Sequence, residues 1–240
     1  MNLINNLYQS LSDSLLDFVY PPVCVSCGAY LRDQHQKVCD RCWQSIQPVA
    51  RDNYLYRDTK DKLLSAGFVG DVVSSYVFEK QGSFQHIAHA LKYQNYESLG
   101  VQLGIKLGGV MKDWGLKADV IIPIPLHKAK LRERGFNQAE MIARGVADVI
   151  QAPVRADIIQ RRRYTQTQTK LNLDERRKNM EDAFSVSPAV SGLLENKVCL
   201  VVDDVITTGA TISSCAAELL KAGALQVIAG SAALAQKDAA

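Results

Sequence analysis

The spacing of apolar residues changes several times along the chain. Leu3, Ile4, Leu7, Leu11, Leu15 and Leu16 recur with helical period among Asn5, Asn6, Gln9, Ser10, Ser12 and Asp13, which predicts an amphipathic helix over residues 1–20. Pro21-Pro22 ends it, because neither ring donates to a helix ladder. Residues Asp52 to Asp71 are polar and of mixed charge, and read as a connection. Val72, Val73, Tyr76, Val77 and Phe78 predict a strand or hairpin arm, and helical spacing follows over His86–Lys92 and Leu99–Met111. The apolar run from Asp119 to Pro125, closed by prolines, predicts a buried parallel strand that delivers a loop. Helical spacing returns over Phe136–Ile150, and Asp157–Gln160 predicts a short strand. Asn196–Val202 is the clearest strand, Ile212–Ala222 predicts a helix stopped by Gly223, and Gln226–Ala229 begins a further strand. Strands that alternate with helices predict an α/β fold, a Rossmann-like parallel sheet with helices on both faces.

Composition sets the scale of that fold. The chain has 240 residues, 47% of them hydrophobic, enough for one substantial core and a small appendage. Charged residues make up 22%, which excludes the highly charged, weakly hydrophobic signature of disorder. A net charge of +3 permits contact with nucleic acid without implying it. No stretch approaches the ~18 apolar residues that cross a bilayer, so no membrane span is expected. The opening pattern suits a helix and not an export signal, so the expected setting is reducing and cytoplasmic.

In that setting paired cysteines point to metal. Cys24-Val-Ser-Cys27 and Cys39-Asp-Arg-Cys42 form two knuckles separated by an eleven-residue insert from Gly28 to Val38. Four thiolates at this spacing reach one tetrahedral centre and close it, leaving no open position for chemistry. The role is therefore structural, holding a zinc-ribbon-like unit too short to make its own core. Zinc is expected, although spacing alone does not separate it from iron. The chain divides into residues 1–50, the helix plus this unit, and residues 51–240, the α/β domain. Cys199 and Cys215, with no histidine near them in sequence, are expected to be packing thiols. His86, His89 and His127 are too scattered for a metal site, and Trp43 and Trp114 are expected to pack.

The chemistry concentrates in Cys199-Leu-Val-Val-Asp203-Asp204-Val-Ile-Thr207-Thr208-Gly209-Ala210-Thr211. A strand here brings two carboxylates to its C-terminal edge, followed by a hydroxyl-rich turn and a helix N-terminus. Ligands of open α/β sheets bind beyond that edge. Backbone N–H groups, the hydroxyls of Thr207, Thr208 and Thr211 and the helix dipole favour a phosphate monoester, and Gly209 permits close backbone approach. If the two carboxylates face the same way they repel, so one of them is expected to meet a divalent cation or a sugar diol.

This run resembles the signature of type I phosphoribosyltransferases at every position. The resemblance implies that Asp203 and Asp204, the catalytic candidates, hold the ribose hydroxyls of phosphoribosyl pyrophosphate, and that Val205 also belongs to the residues that bind it. Thr207, Thr208, Gly209, Ala210 and Thr211 then hold its 5′-phosphate. A second set, Pro123-Ile-Pro125, Arg134-Gly-Phe-Asn-Gln138, Thr165, Gln168, Arg176, Asn179 and Phe184, recurs in this order in the ComF-type competence proteins and their GntX-type relatives, which also carry the four-cysteine knuckle. That resemblance places pyrophosphate at Pro125 to Lys130, including Leu126, His127 and Lys128, with Arg132 and Arg134 as partners for its charge. It assigns Thr165 and Gln168 to the loop that closes over the sugar, and implies Mg²⁺ bound with phosphoribosyl pyrophosphate.

Between Arg155 and Lys178, eight basic side chains face three acidic ones, a local excess larger than that of the whole chain. With Tyr164 beside Arg161 to Arg163, the segment has the composition of a single-strand binder. The family resemblance implies a role in natural transformation, handling imported single-stranded DNA with other DNA-processing proteins. A phosphoribosyltransferase is the leading expectation; no hood segment for a nucleobase is recognisable, which leaves its acceptor unidentified and supports the alternative. A non-catalytic phosphoribosyl pyrophosphate sensor, or a DNA-binding adaptor with a zinc finger, is the alternative.

Overall fold

The computed structural model describes residues 21–33, 36–161 and 183–236. The helix expected over residues 1–20 lies outside them, as do Arg162 to Lys178 of the basic segment and the motif residues Thr165, Gln168, Arg176 and Asn179.

Four parallel strands form the central sheet: β1 (Asp71–Val77), β2 (Val120–Pro123), β5 (Val198–Ile206) and β6 (Gln226–Leu234), in the order β1-β6-β5-β2. A parallel bridge from Ile121 to Val154 extends the β2 edge. Two short strands, β3 (Ile159–Arg161) and β4 (Phe184–Val186), pair antiparallel in a separate hairpin.

Apolar residues alternate across the sheet and build two cores. Val73, Ile121, Leu200, Val202 and Ile228 face one side, where they meet α3 (Ser83–Tyr93), α4 (Glu97–Asp113) and α6 (Gln138–Ile150). Val72, Val120, Ile122, Cys199, Val201 and Val227 face the other, against α2 (Tyr54–Ser65) and α7 (Ala210–Lys221). Burial on both faces accounts for the near-continuous apolar runs of β2 and β5. The sequence expectation of a parallel sheet covered on both sides is met.

The segment read as a connection contains α2. The Asn53 side chain caps it by accepting from the N–H groups of Leu55 and Tyr56. Only Tyr56, Thr59 and Leu63 of this helix are buried, so its narrow apolar stripe is hidden among Arg57, Asp58, Lys60, Asp61 and Lys62. A short helix, α5 (Lys128–Arg134), likewise occupies the region read as a pyrophosphate loop. Strand β5 runs on to Ile206, beyond its expected end at Val202, and the strand expected to begin at Gln226 continues to Leu234.

The cysteine unit packs onto the sheet's β1 edge. Its short helix α1 (Asp40–Ser45) carries Trp43, whose ring stacks on Tyr76 at 6.3 Å, while the Lys106 ammonium sits 4.6 Å from the Trp43 ring centre. Pro48 bridges Tyr76, the Val49 N–H donates to the Ser75 carbonyl, and the Val77 N–H donates to the Gln47 carbonyl. Cys24, Leu31, Val38, Cys42 and Ile46 join the core shared with α3 and α4.

Candidate functional site

The sheet directs three features to its C-terminal rim. The first is the acidic pair. Asp203 lies inside β5, level with Ser231 of β6, so the ladder that continues to Ile206 fixes its backbone. The Asp204 N–H donates to Asp203 Oδ1 and the Val205 N–H donates to Asp204 Oδ1, both at 2.8 Å. The pair does not carry two uncompensated charges. Lys92 Nζ, in the last turn of α3, lies 2.7 Å from Asp204 Oδ2. Burial opposes ionisation of Asp204, but the Lys92 ammonium overrides it and holds this carboxyl below the usual carboxylate range. Burial, and then the Asp204 charge, push Asp203 up to about 7. One acid is thus ionised and its neighbour is poised near neutrality.

The second feature is the turn after β5. Thr207 and Thr208 are exposed, and Gly209 is buried with φ at 72°, a left-handed conformation that favours glycine. A Cβ at this position would stand 2.5 Å from Leu63 Cδ2 of α2, so the expected close backbone approach is made first to the protein itself. Ala210 then begins the twelve-residue α7, with its N–H donating to Thr208 Oγ1 at 3.4 Å. The leading N–H groups of such a helix have no partner within it and can meet an anion.

The third feature is the chain leaving β2. Pro123 is level with Val202, and the Ile124 N–H donates to the Val202 carbonyl, which sets this segment beside Asp203. His127 caps α5 by accepting the Ala129 N–H at Nδ1. Lys128 and Arg132 are exposed on α5, and Leu126 is half-buried before it. Arg134 is engaged elsewhere: its guanidinium lies 5.6 Å from the Tyr93 ring centre and Nη1 donates to Gln138 Oε1. Gly135 ends α5 at φ 78°, and Asn137 Nδ2 donates to the Ile124 carbonyl at 3.0 Å. The Arg134-Gly-Phe-Asn-Gln138 motif therefore ties the β2 exit to the start of α6.

Lys92 has no counterpart in the sequence reading. A lysine ending an amphipathic helix is ordinary, and its partner lies far along the chain. Cys199 and Cys215 are buried in the core, and burial pushes the Cys199 thiol up to about 12. Packing thiols were expected there. A cleft of about 540 Å³ opens at the same rim beside β1 and β6, lined by Asn53, Tyr54, Phe78, Lys80 and Gln236 among others.

The four knuckle cysteines form a separate cluster. Their sulfur atoms all lie within 4.8 Å of one another, and Cys27 Sγ and Cys39 Sγ are 3.8 Å apart. A tetrahedron of Zn–S bonds about 2.3 Å long has edges of about 3.8 Å, so the donor set fits one structural zinc. The Cys39 N–H points at Cys24 Sγ, 3.4 Å away, a contact that favours the thiolate.

Comparison with known proteins agrees with both parts. A family model described as a double zinc ribbon domain matches residues 15–53, and one described as a phosphoribosyl transferase domain matches residues 134–240. The chain supplies four cysteines to the first, enough for one metal ion. The α/β part of the chain thus matches a phosphoribosyl transferase domain, joined to a zinc ribbon. Competence protein F of Haemophilus influenzae is 34% identical over 109 residues, 45% of this chain and 47% of that protein. The DNA utilization protein YhgH of Salmonella typhimurium is 32% identical over 146 residues, 59% of this chain and 63% of that protein. Competence protein ComFC of Bacillus subtilis is 28% identical over 215 residues, 84% of this chain and 79% of that protein. The match to the first of these spans about half the length of that relative. Among solved structures, glutamine phosphoribosylpyrophosphate amidotransferase from B. subtilis aligns over 56% of this chain and 26% of that chain, with 24% identity and a TM-score of 0.40. The chain is thus similar to competence-associated proteins, to one of them over most of its length. No described helix is long and apolar enough to cross a membrane.

Proposed function

We propose that the chain binds Mg²⁺-associated phosphoribosyl pyrophosphate at the rim of β5 and β2 and transfers its phosphoribosyl group to an acceptor, in the service of DNA taken up during natural transformation. The observation that carries the reading is the succession of acidic pair, hydroxyl turn and helix N-terminus along β5 and α7. Asp203 and Asp204 hold the ribose diol, Thr207 to Thr211 hold the 5′-phosphate, and the segment from Pro125 to Lys130 lies along the pyrophosphate.

The ionised Asp204 favours the positive charge that builds on the sugar as the bond from C1 to pyrophosphate breaks. Backbone N–H groups at the β2 exit stabilise the negative charge that leaves on pyrophosphate, while those of the turn after β5 hold the 5′-phosphate. When bound, Mg²⁺ adds charge neutralisation at the diphosphate. Asp203 and Asp204 are the residues that would hold the cation together with the diol, a donor set suited to both. The open cleft near Tyr54 and Phe78 leaves room on this rim for an acceptor. The zinc ribbon holds the N-terminal unit together and takes no part in transfer. The names of the relatives, together with the basic excess between Arg155 and Lys178, support single-stranded DNA and DNA-processing proteins as partners in the cytoplasm.

The test is calorimetric binding of phosphoribosyl pyrophosphate with and without Mg²⁺, followed by assay of pyrophosphate release with nucleobases or single-stranded DNA. Cation-dependent binding that is lost in Asp203→Asn/Asp204→Asn supports the site. Binding without pyrophosphate release makes the protein a sensor in place of a transferase. Absence of binding overturns the proposal.

A further inference from the structure

Lys92, paired with Asp204, is the part of the rim that the proposed chemistry leaves unused. It joins α3 to β5 across the edge where the ligand would lie, and neither side chain is sealed: Lys92 is 27% exposed and Asp204 19%. The backbone beneath Lys92 is held in place. The next residue, Tyr93, lies between the His89 ring at 4.8 Å and the Arg134 guanidinium at 5.6 Å. Arg134 in turn donates to Gln138, which is buried at the start of α6. Asn95, just past the end of α3, approaches Gly135 at the end of α5. The last turn of α3 is therefore fastened to the α5–α6 junction, and Asn137 fastens that junction to the β2 exit. The ammonium thus meets Asp204 from a helix end that is tied, through Arg134 and Asn137, to the exit of β2.

Charge decides when it moves. Asp204 is the carboxylate that the ammonium meets. A ligand that brings a diol and a divalent cation to the acidic pair surrounds Asp204 with new partners and places a like charge near the ammonium. The same ligand brings a diphosphate, a stronger acceptor of charge-assisted hydrogen bonds than a single carboxylate.

We propose that Lys92 is a ligand-binding residue of this site, paired with Asp204 when the site is empty and exchanging that carboxylate for the ligand's diphosphate when it fills. The inference rests on the phosphoribosyl pyrophosphate reading of the site and adds to it a residue from α3.

Inorganic pyrophosphate is the discriminating probe, because it carries the diphosphate without the diol. Its binding to the zinc-loaded full chain is measured by calorimetry for the wild type, Lys92→Met, Lys92→Arg, Asp204→Asn and the Lys92→Met/Asp204→Asn double variant, with thermal melting as a check on folding. Exchange predicts that Lys92→Met weakens binding about tenfold, in keeping with the loss of a charge-assisted hydrogen bond, and that Lys92→Arg restores most of it. It also predicts that Asp204→Asn tightens binding severalfold, because the ammonium no longer has to leave a carboxylate, and that the double variant behaves like Lys92→Met. A merely structural ion pair gives the opposite pattern, with Lys92→Met and Asp204→Asn weakening binding alike; that result, or Lys92→Met within twofold of wild type, overturns the exchange while leaving the site reading intact. A wild type that binds neither pyrophosphate nor phosphoribosyl pyrophosphate overturns both.

Discussion

Replacing Asp203 by asparagine removes a carboxyl that the fold holds against its preference. Its pKa is about 7 in the folded protein against 3.8 ordinarily, because burial and the Asp204 charge both disfavour ionisation. The folded state therefore binds a proton more readily than the unfolded chain. The stability that this protonation contributes is complete below about pH 4 and is gone once the pH has risen through about 7. At 1.36 kcal/mol per unit, the wild type loses about 3 kcal/mol from this group between pH 5 and pH 8. Asparagine does not titrate, so Asp203→Asn escapes that loss. Urea unfolding of both proteins, zinc-loaded and free of ligand, measures the difference. The variant should gain on the wild type by about 3 kcal/mol from pH 5 to pH 8, or roughly 6–10 °C in melting temperature for a chain of this size. Groups that titrate alike in both proteins cancel in the comparison. A difference that stays flat over this range, or that falls as the pH rises, refutes the argument. The same substitution should abolish phosphoribosyl pyrophosphate binding, making the carboxyl a group kept for ligand at the expense of the empty fold.

Two further outcomes follow from packing and metal. A Cβ at Gly104 of α4 would run into the Ile142 carbonyl of α6, whereas one at Gly109 meets nothing within 4 Å. Gly104→Ala should cost on the order of 1–3 kcal/mol, and Gly109→Ala should stabilise by roughly 0.5–1 kcal/mol through its helix propensity, both read by urea unfolding; a gain at Gly104 would mean that the two helices are not in close contact. Chelation should remove one colourless metal ion per chain and change the fluorescence of Trp43, which stacks on Tyr76 only while the cysteine unit holds its shape. An iron chromophore, or a fluorescence change without metal release, would refute the zinc assignment.

Much of the fold was legible because each half of the evidence was local. The apolar runs of β2 and β5 are buried on both faces, so their composition gives them away without any partner. The cysteine knuckles were equally plain, since their ligands are close in sequence and their chemistry permits few uses. Where one face of an element was thin, reading failed. Helix α2 buries only Tyr56, Thr59 and Leu63, and the charged residues between them erased the period. Helix α5 buries nothing, so no pattern marks it; its cap at His127 and its stop at Gly135 are visible only once the chain is folded.

The acidic pair shows a deeper reason why a site is only half readable. Adjacent aspartates declare an ionic problem, and the sequence suggests that a cation or diol resolves it. In the empty fold a lysine from another element supplies the compensation, and that pairing depends on how α3 packs against the sheet. Compensation also explains why the two neighbours differ: Lys92 touches Asp204, so Asp204 ionises and the burden of desolvation falls on Asp203. Identical residues one position apart thus acquire different acidities from a single tertiary contact. A ligand that must engage both carboxylates has to remove a proton from one and a lysine from the other, which couples its affinity to pH through Asp203 and to α3 through Lys92.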